Sequence, residues 1–473
     1  MARPEGVSFD SGSFKDPHGG VFFQGARVFR YLTPEGAASF QALAASGLLE
    51  KLSQKGSVIG AREVPPEEAA GLLQAVPGAD LVVEHPRLPF ISYCYEWPFK
   101  MLKAAALLHL EVLAAALERG YILKDATPYN IQFLGPRPVL VDVASFEPYR
   151  EGDPWNAYSQ FCRLFLNPLL LQALTGVRFQ GWLRGSLDGI APAELSRLLP
   201  WRHKLRPSVF LHVVLQTWLD RRAASADAAD PGLMRRKISR KRVTRLVERV
   251  RSAVEGLRSG PSASPWARYD DENTYSEEAR ACKDAFVERT LAAQKPGVVW
   301  DLGCNTGRYS FIAARHAEHV VAMDSDPDAV DRLYLRARGG APNVLPLVID
   351  LLDPSPDHGW AQAERRGLSQ RGPADLALCL ALVHHLAIAG NVPLRHVVAW
   401  LARVARSGII EFVPKEDPGA QSLLRWRRDV YPAYTQAAFE AALEERFQII
   451  DQRALPGSGR VLYSLAQARP REG

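Results

Sequence analysis

The chain has 473 residues, 47% hydrophobic and 23% charged, a balance that argues against wholesale disorder and a length that exceeds one core, so two domains of roughly 200 residues are expected. The net charge of +6 is modest, and the five cysteines are scattered without C-x-x-C spacing, which disfavours a disulfide framework and a zinc site. The N-terminal residues lack a signal-peptide pattern, and the longest apolar stretch, residues 104–117, is broken by His109 and Glu111 and too short for a bilayer; a cytoplasmic protein with no membrane partner is expected.

In chain order, GGVFFQGARVFRYL (residues 19–32) reads as a β-hairpin, and FISYCYEWPFKML (90–102) leads into the long apolar helix. The next informative stretch is GYILKDATPYNIQFLGPRPVLVDVASFEP, residues 120–148. It places Asp125 and Asn130 in a turn-rich loop, then Asp142 at the end of the apolar run PVLVD, with a hairpin between. In phosphoryl transfer of the kinase type, such a first Asp orients the acceptor hydroxyl, while the Asn and second Asp hold magnesium. A plainer reading makes these polar residues helix and turn caps.

The segment resembles the catalytic loop and metal strand of kinase-like phosphotransferases, particularly the aminoglycoside-phosphotransferase type. The resemblance implies an α+β kinase-like domain over 1–220, with a small lobe to about residue 95, and ATP and magnesium as ligands. It also implies Arg30 in place of the phosphate-binding lysine, Asp125 in the catalytic position, and Asn130 and Asp142 on the metal. Two departures stand out: Leu123-Lys124 precede Asp125, and Val143-Ala144 follow Asp142 in place of Phe-Gly. Both an active phosphotransferase and a degenerate recognition module remain open. The aromatic-rich residues 155–176 read as helical core.

Residues 221–262 read as a basic helical linker between polar punctuation at 221–232 and RSGPSASPW at 258–266. Its centre, MRRKISRKRVTRLVERVR, sets many Lys and Arg against the single Glu248, with Ile238, Val243, Leu246, Val247 and Val250 as an apolar stripe. A nucleic-acid-binding helix is one reading. No aromatic side chains interleave as a stacking surface, so a solvated connector face is favoured.

Residues 263–473 alternate short β-rich runs with helical segments. Strands are expected at 298–301, 319–324, 344–350, 376–380 and 408–412, alternating with helices as in a parallel doubly wound α/β sheet. Two more, 447–452 and 460–466, are joined too closely for a crossover and must form an antiparallel hairpin. In VVWDLGCNTGRYSF (298–311) the first strand leaves its core through Asp301 and turns over Gly303, Asn305 and Gly307. A dinucleotide site would bring pyrophosphate to glycines at a helix N-terminus. Here the acid comes first; it repels phosphate and attracts an ammonium group. The next two strands also end in acids: Asp324, suited to both ribose hydroxyls, and Asp350, suited to an adenine amino group with Leu351 beside the ring. A cationic nucleoside such as S-adenosylmethionine fits all three.

The motifs DLGCNTG, VVAMD, LVID and ADLALCLALVHHL resemble, in order, four motifs of the class I S-adenosylmethionine-dependent methyltransferases. The resemblance implies a Rossmann-like seven-stranded methyltransferase sheet and a cofactor pocket made by Asp301, Gly303, Cys304, Asn305, Gly307, Asp324, Asp350 and Leu351. Asn305 stands where the family often has glycine. The whole chain is also similar to bacterial methyltransferases of the host-specific nodulation type. The expected function is methyl transfer to an O, N or C nucleophile of a small-molecule or peptide acceptor, which the first domain phosphorylates or recognises. His384, His385 and Glu411 are general-base candidates; equally, the histidines bond backbone and Glu411 pairs with a Lys or Arg. Trp266, Tyr269, Asn273, Tyr275 and Lys283 are candidates for a cover over the cofactor. Two rival expectations are an RNA-binding methyltransferase with a degenerate kinase-like module, and a non-catalytic cofactor-binding scaffold.

Overall fold

The computed structural model describes residues 6–218, 237–260, 275–425 and 430–467. The anticipated linker segments around 221–232 and 261–266, and Trp266, Tyr269 and Asn273, lie outside the described residues. The chain forms two compact units: Met1–Phe133 with Pro138–Pro261 and Asp357–Arg365, and Leu134–Arg137 with Ser262–Pro356 and Arg366–Gly473.

In the first unit, β1 (Val7–Phe9), β2 (Gly19–Gln24), β3 (Arg27–Leu32), β4 (Arg62–Glu63) and β5 (Leu81–His85) form an antiparallel sheet in the order β1-β2-β3-β5-β4. Alternation along β2 and β3 sends Phe22 and Phe29 to one face, where their rings stack 5.3 Å apart in a core with Val64, Leu72 and Val82. Helices Pro34–Ala45 and Leu48–Gln54 lie between β3 and β4 in the chain. The first is capped by the Thr33 hydroxyl, with Pro34 opening it.

The apolar stretch at 104–117 lies within the helix Phe99–Glu118. Gly120, at φ +79°, follows it before β6 (Tyr121–Leu123). The chain then passes through β7 (Ile131–Leu134), β8 (Arg137–Leu140) and β9 (Phe146–Pro148); β7 pairs with β8, and β6 with β9. His109 is fully buried among Trp155, Phe161 and Phe165.

The basic helix spans Arg240–Gly256 and belongs to the first unit, which differs from the connector expected. Val243, Val247, Val250 and Val254 are buried on it, and it packs on Phe99–Glu118. Lys103 Nζ donates to the carbonyls of Glu255 at 2.7 Å and Leu257 at 2.8 Å near its C-terminus. The apolar stripe thus fills a core position, while the cations stay on the opposite side.

The second unit holds a seven-stranded sheet in the order β12-β11-β10-β13-β14-β16-β15. Its strands are β10 (Val298–Leu302), β11 (His319–Asp324), β12 (Val344–Val348), β13 (Ala374–Cys379), β14 (Ala405–Phe412), β15 (Phe447–Ala454) and β16 (Val461–Gln467). The first five are parallel, and β16 is antiparallel to both β14 and β15. β12 ends two residues before Asp350, because Asp350 bends the chain by accepting the Leu352 amide at 2.9 Å. One face of the sheet, with Val299, Val320 and Ile409, packs on helices Glu277–Gln294, Arg308–Ala313 and Pro327–Gly340. On the other face Phe439, from the helix Gln436–Glu444, stacks on Phe412 at 5.3 Å.

If the basic helix is core, Val250→Ala should cost on the order of 2 kcal/mol, whereas Arg245→Gln on its exposed side should leave stability within about 0.5 kcal/mol. Urea unfolding of the full chain checks both; equal, negligible effects would return the helix to a linker.

Candidate functional site

The parallel order of β10, β11 and β12 places their carboxyl ends side by side, the edge where open α/β sheets take ligands. Asp301 sits in β10, Asp324 ends β11, and Asp350 follows β12. Asp301 is 2% exposed and accepts the Ser310 hydroxyl at 2.6 Å. Burial pushes its carboxyl up to about 7, against the Ser310 hydrogen bond and with repulsion from Asp324 adding to the rise.

The glycine turn is tied to β11 by its own backbone. The amides of Gly303 and Cys304 donate to the Met323 carbonyl at 2.8 and 3.0 Å, and the Asn305 amide donates to Asp324 Oδ2 at 2.8 Å. Gly303, Asn305 and Gly307 take φ of +74°, +49° and +89°. Asn tolerates this left-handed region better than most residues do, so it serves where a glycine was the alternative. A Cβ on Gly307 would come within 2.3 Å of Leu333 Cδ1. Thr306 Oγ1 is buried with no hydrogen-bond partner.

Asp324 Oδ1 accepts the Asp326 amide at 2.9 Å. Burial raises this carboxyl too, opposed by the amides of Asp326 and Asn305. Each of its oxygens keeps lone-pair capacity beyond the amide that it accepts. Asp350 is exposed and Leu351 half-buried. A sulfonium nucleoside fits these residues: a buried carboxyl that gains from a cationic neighbour, a turn that lacks Cβ atoms at Gly303 and Gly307, an orphaned hydroxyl and two further carboxylates along one edge.

Behind this edge lies a buried ionic network. Glu411, on β14, is fully buried. Its Oε2 meets Lys283 Nζ at 2.7 Å and accepts the Ala381 amide at 2.8 Å; its Oε1 accepts the Tyr275 hydroxyl at 2.7 Å. Lys283 lies 2% exposed on the helix Glu277–Gln294, 4.6 Å from the Tyr275 ring centroid and 4.8 Å from that of Tyr309. Arg460 stacks over Tyr275 at 4.3 Å and grips Asp417 through two bonds of 2.6 and 2.8 Å. Two cations and two carboxylates therefore balance. Burial alone would raise the Glu411 carboxyl, but Lys283 and Arg460 hold it below its ordinary value.

His384 and His385 follow β13 with ring centroids 4.3 Å apart. Burial, with His385, Arg460 and Lys283 adding to it, pushes His384 down to about 2, and its Nδ1 is buried without a partner. Burial also lowers His385. The network unites Tyr275, Lys283 and Glu411, which the sequence offered separately. It adds Arg460 and Asp417, which sequence reasoning missed because they look like ordinary turn residues in GSGRVLY and PKEDPG.

In the first unit, Arg30, Asn130 and Asp142 converge. Arg30 Nη2 lies 3.0 Å from Asp142 Oδ1, and its Nη1 3.3 Å from Asp16 Oδ2. Asp142 Oδ2 accepts the Ser145 hydroxyl at 2.9 Å, and Asn130 Nδ2 donates to Ser145 Oγ at 2.9 Å. Asp125 stays half-buried, its carboxyl raised by burial and, through repulsion, by Asp142 and Asp16 against Lys124. Among the described residues no group of three or more His, Cys, Asp or Glu side chains converges as a metal cage. The Asp142 carboxylate that was expected on magnesium is here engaged by the Arg30 guanidinium and the Ser145 hydroxyl.

No protein-family model matches the chain. It is 38% identical over 462 residues to nodulation protein NoeA of Rhizobium meliloti (strain 1021), covering 97% of this chain and 96% of that protein. Among solved structures it is similar to the N-methyltransferase NodS from Bradyrhizobium japonicum WM9 in complex with S-adenosyl-L-homocysteine, at 14% identity and TM-score 0.32, covering 44% of this chain and 94% of that one. It is also similar to magnesium protoporphyrin IX methyltransferase from Synechocystis PCC 6803, at 18% identity and TM-score 0.30, covering 44% and 87%.

Lys283→Met leaves two buried carboxylates against Arg460 alone and should cost about 3 kcal/mol. Adding Glu411→Gln should restore at least about 1 kcal/mol of that loss. Chemical denaturation of the two variants checks this, and strictly additive losses would contradict the coupling.

Proposed function

This chain belongs to the family of nodulation protein NoeA, and from the geometry of its second unit we propose that it is an S-adenosylmethionine-dependent methyltransferase acting on a small-molecule or peptide acceptor. The observation that carries the reading is the row of Asp301, Asp324 and Asp350 along adjacent parallel strand ends, with Asp301 buried and held up at about 7. The strand order 3-2-1-4-5-7-6, counted within this sheet, supports a Rossmann-like methyltransferase domain.

In this reading Asp301 faces the ammonium end of the methyl donor, the turn from Gly303 to Gly307 approaches its chain, Asp324 accepts the ribose hydroxyls, and Asp350 with Leu351 borders the adenine. The bound donor supplies an electrophilic methyl group on a sulfonium. The protein contributes alignment and exclusion of water. Glu411 is bound into its ion pairs, so its part is to fix Ala381 in the turn after β13. His384 is neutral at neutral pH and too weak a base to strip a proton there; its open Nδ1 suits a hydrogen bond that orients the acceptor.

The first unit supports a kinase-like reading through its five-stranded sheet, Arg30 on β3, and Asp125, Asn130 and Asp142 in loop order. With Arg30 on Asp142, its role in this proposal is recognition of the acceptor. Incubation with ATP and magnesium should show no turnover; turnover abolished by Asp142→Ala would instead establish a second, phosphotransferase activity.

Asp301 must be ionised to attract an ammonium group. Affinity for S-adenosylmethionine should therefore rise from about pH 6 to about pH 7.5, before the ligand loses its own ammonium proton. Asp301→Asn should flatten that rise, and Asp324→Ala should weaken binding about 10- to 100-fold. Calorimetry across this range tests both, and transfer of labelled methyl groups to a fractionated extract tests the reaction. A pH-independent affinity in the unaltered protein would contradict the assigned role of Asp301.

A further inference from the structure

The first unit carries an exposed apolar surface that neither proposed role uses. Residues 197–210, RLLPWRHKLRPSVF, run through the end of the helix Pro192–Leu198, the turn Trp201–Lys204 and the following short helical turns. Leu198 is 42% exposed, Trp201 74%, Leu205 72% and Phe210 53%. Trp201 and Leu205 stand four residues apart across a helical turn, so they emerge side by side. An apolar cluster of this kind on a folded surface marks an interaction site.

The charge around it is mainly positive, with the exposed Glu194 one turn before Leu198 as the nearest acid in the chain. Arg197, Arg202, Lys204 and Arg206 alternate with the apolar residues, and no Asp or Glu occurs between Glu194 and Asp220. None of these four cations makes an ion pair among the described residues. The basic helix also carries exposed Lys241, Arg242, Arg245 and Arg249 within a roughly 100° arc turned away from the buried valines, with the exposed Glu248 at the edge of that arc. Arg249 lies close enough to depress the His212 imidazole, which burial already lowers, and His212 stands just past Phe210.

We infer that this surface docks the protein on an anionic phospholipid bilayer, with Trp201, Leu205, Leu198 and Phe210 entering the headgroup–acyl boundary and the flanking Arg and Lys side chains meeting lipid phosphates. Interleaved cations and large apolar side chains are what such an interface selects. Charge complementarity excludes a second copy in a two-fold contact, since that would set each cationic patch against its own image. Trp201 and Phe210 can stack on nucleic-acid bases, but Leu198 and Leu205 offer a base neither a stacking face nor a hydrogen bond, whereas all four side chains partition into a lipid boundary. Among the described residues no helix is long and apolar enough to cross a membrane, so the attachment is peripheral.

Sedimentation of the full-length protein with phosphatidylcholine/phosphatidylglycerol vesicles tests this, with phosphatidylcholine vesicles as the control. The protein should co-sediment with the mixed vesicles only. Trp201→Ala/Leu205→Ala and, separately, Arg202→Gln/Lys204→Gln/Arg206→Gln should each lower the affinity roughly tenfold or more, with unchanged circular dichroism because every altered side chain is solvent-facing or half-exposed. Absence of binding to the mixed vesicles overturns the inference, as does binding that survives both sets of substitutions. Capture of single-stranded RNA, or self-association, that is lost in these variants while vesicle binding is absent likewise overturns it and reassigns the surface.

Discussion

Glu411 is the point on which the second unit depends. A fully buried carboxylate is costly unless opposite charge and hydrogen bonds surround it, and here four groups from three distant parts of the chain supply them. Lys283 reaches it from the helix before the first strand, Tyr275 from the segment ahead of that helix, Arg460 from the start of the last strand, and the Ala381 amide from the turn after β13. Asp417 then balances Arg460. The result is a polar pin through an otherwise apolar α/β core.

From that pin the ligand edge follows. Ala381 stands at φ +50°, a conformation costly for a residue with a side chain, and the Glu411 carboxylate holds its amide there. On the neighbouring strands, three backbone amides of the glycine turn hold it to β11, two through the Met323 carbonyl and one through the Asp324 carboxylate. The acidic row is therefore positioned largely by main-chain geometry. Side-chain packing enters where Leu333 fills the space beside Gly307. A site built this way is shaped by the fold itself, as alignment-driven methyl transfer needs.

The strands of the second unit were legible because each is a short apolar run between turn residues, and a parallel order follows from the helices between them. His319–Asp324 has the bounds that its pattern suggests, whereas β12 stops short because the Asp350 side chain competes for the backbone. The acidic row was legible because all three acids fall at strand ends. The buried network was only partly legible. Tyr275 and Lys283 drew notice as candidates for a cover over the cofactor and Glu411 as a base candidate at a strand end, but nothing local marks Arg460 or Asp417, whose pairing is a property of the fold. The same holds for Arg30 and Asp142: the first was read in place of a phosphate-binding lysine and the second, with Asn130, as a metal ligand, and the ion pair between them appears only once β3 meets the loop. Exposure was the least legible of all. The valines of the basic helix read in sequence as the apolar stripe of a connector; in the fold they are buried, while Trp201 and Leu205 face solvent.

The most direct test of the account is the location of the nucleoside itself. Crystals of the protein grown with S-adenosylhomocysteine should show its ribose on Asp324, its amino group toward Asp301 and its adenine beside Asp350 and Leu351. Density for the nucleoside elsewhere in the protein, with this strand edge empty at saturating ligand, would contradict it.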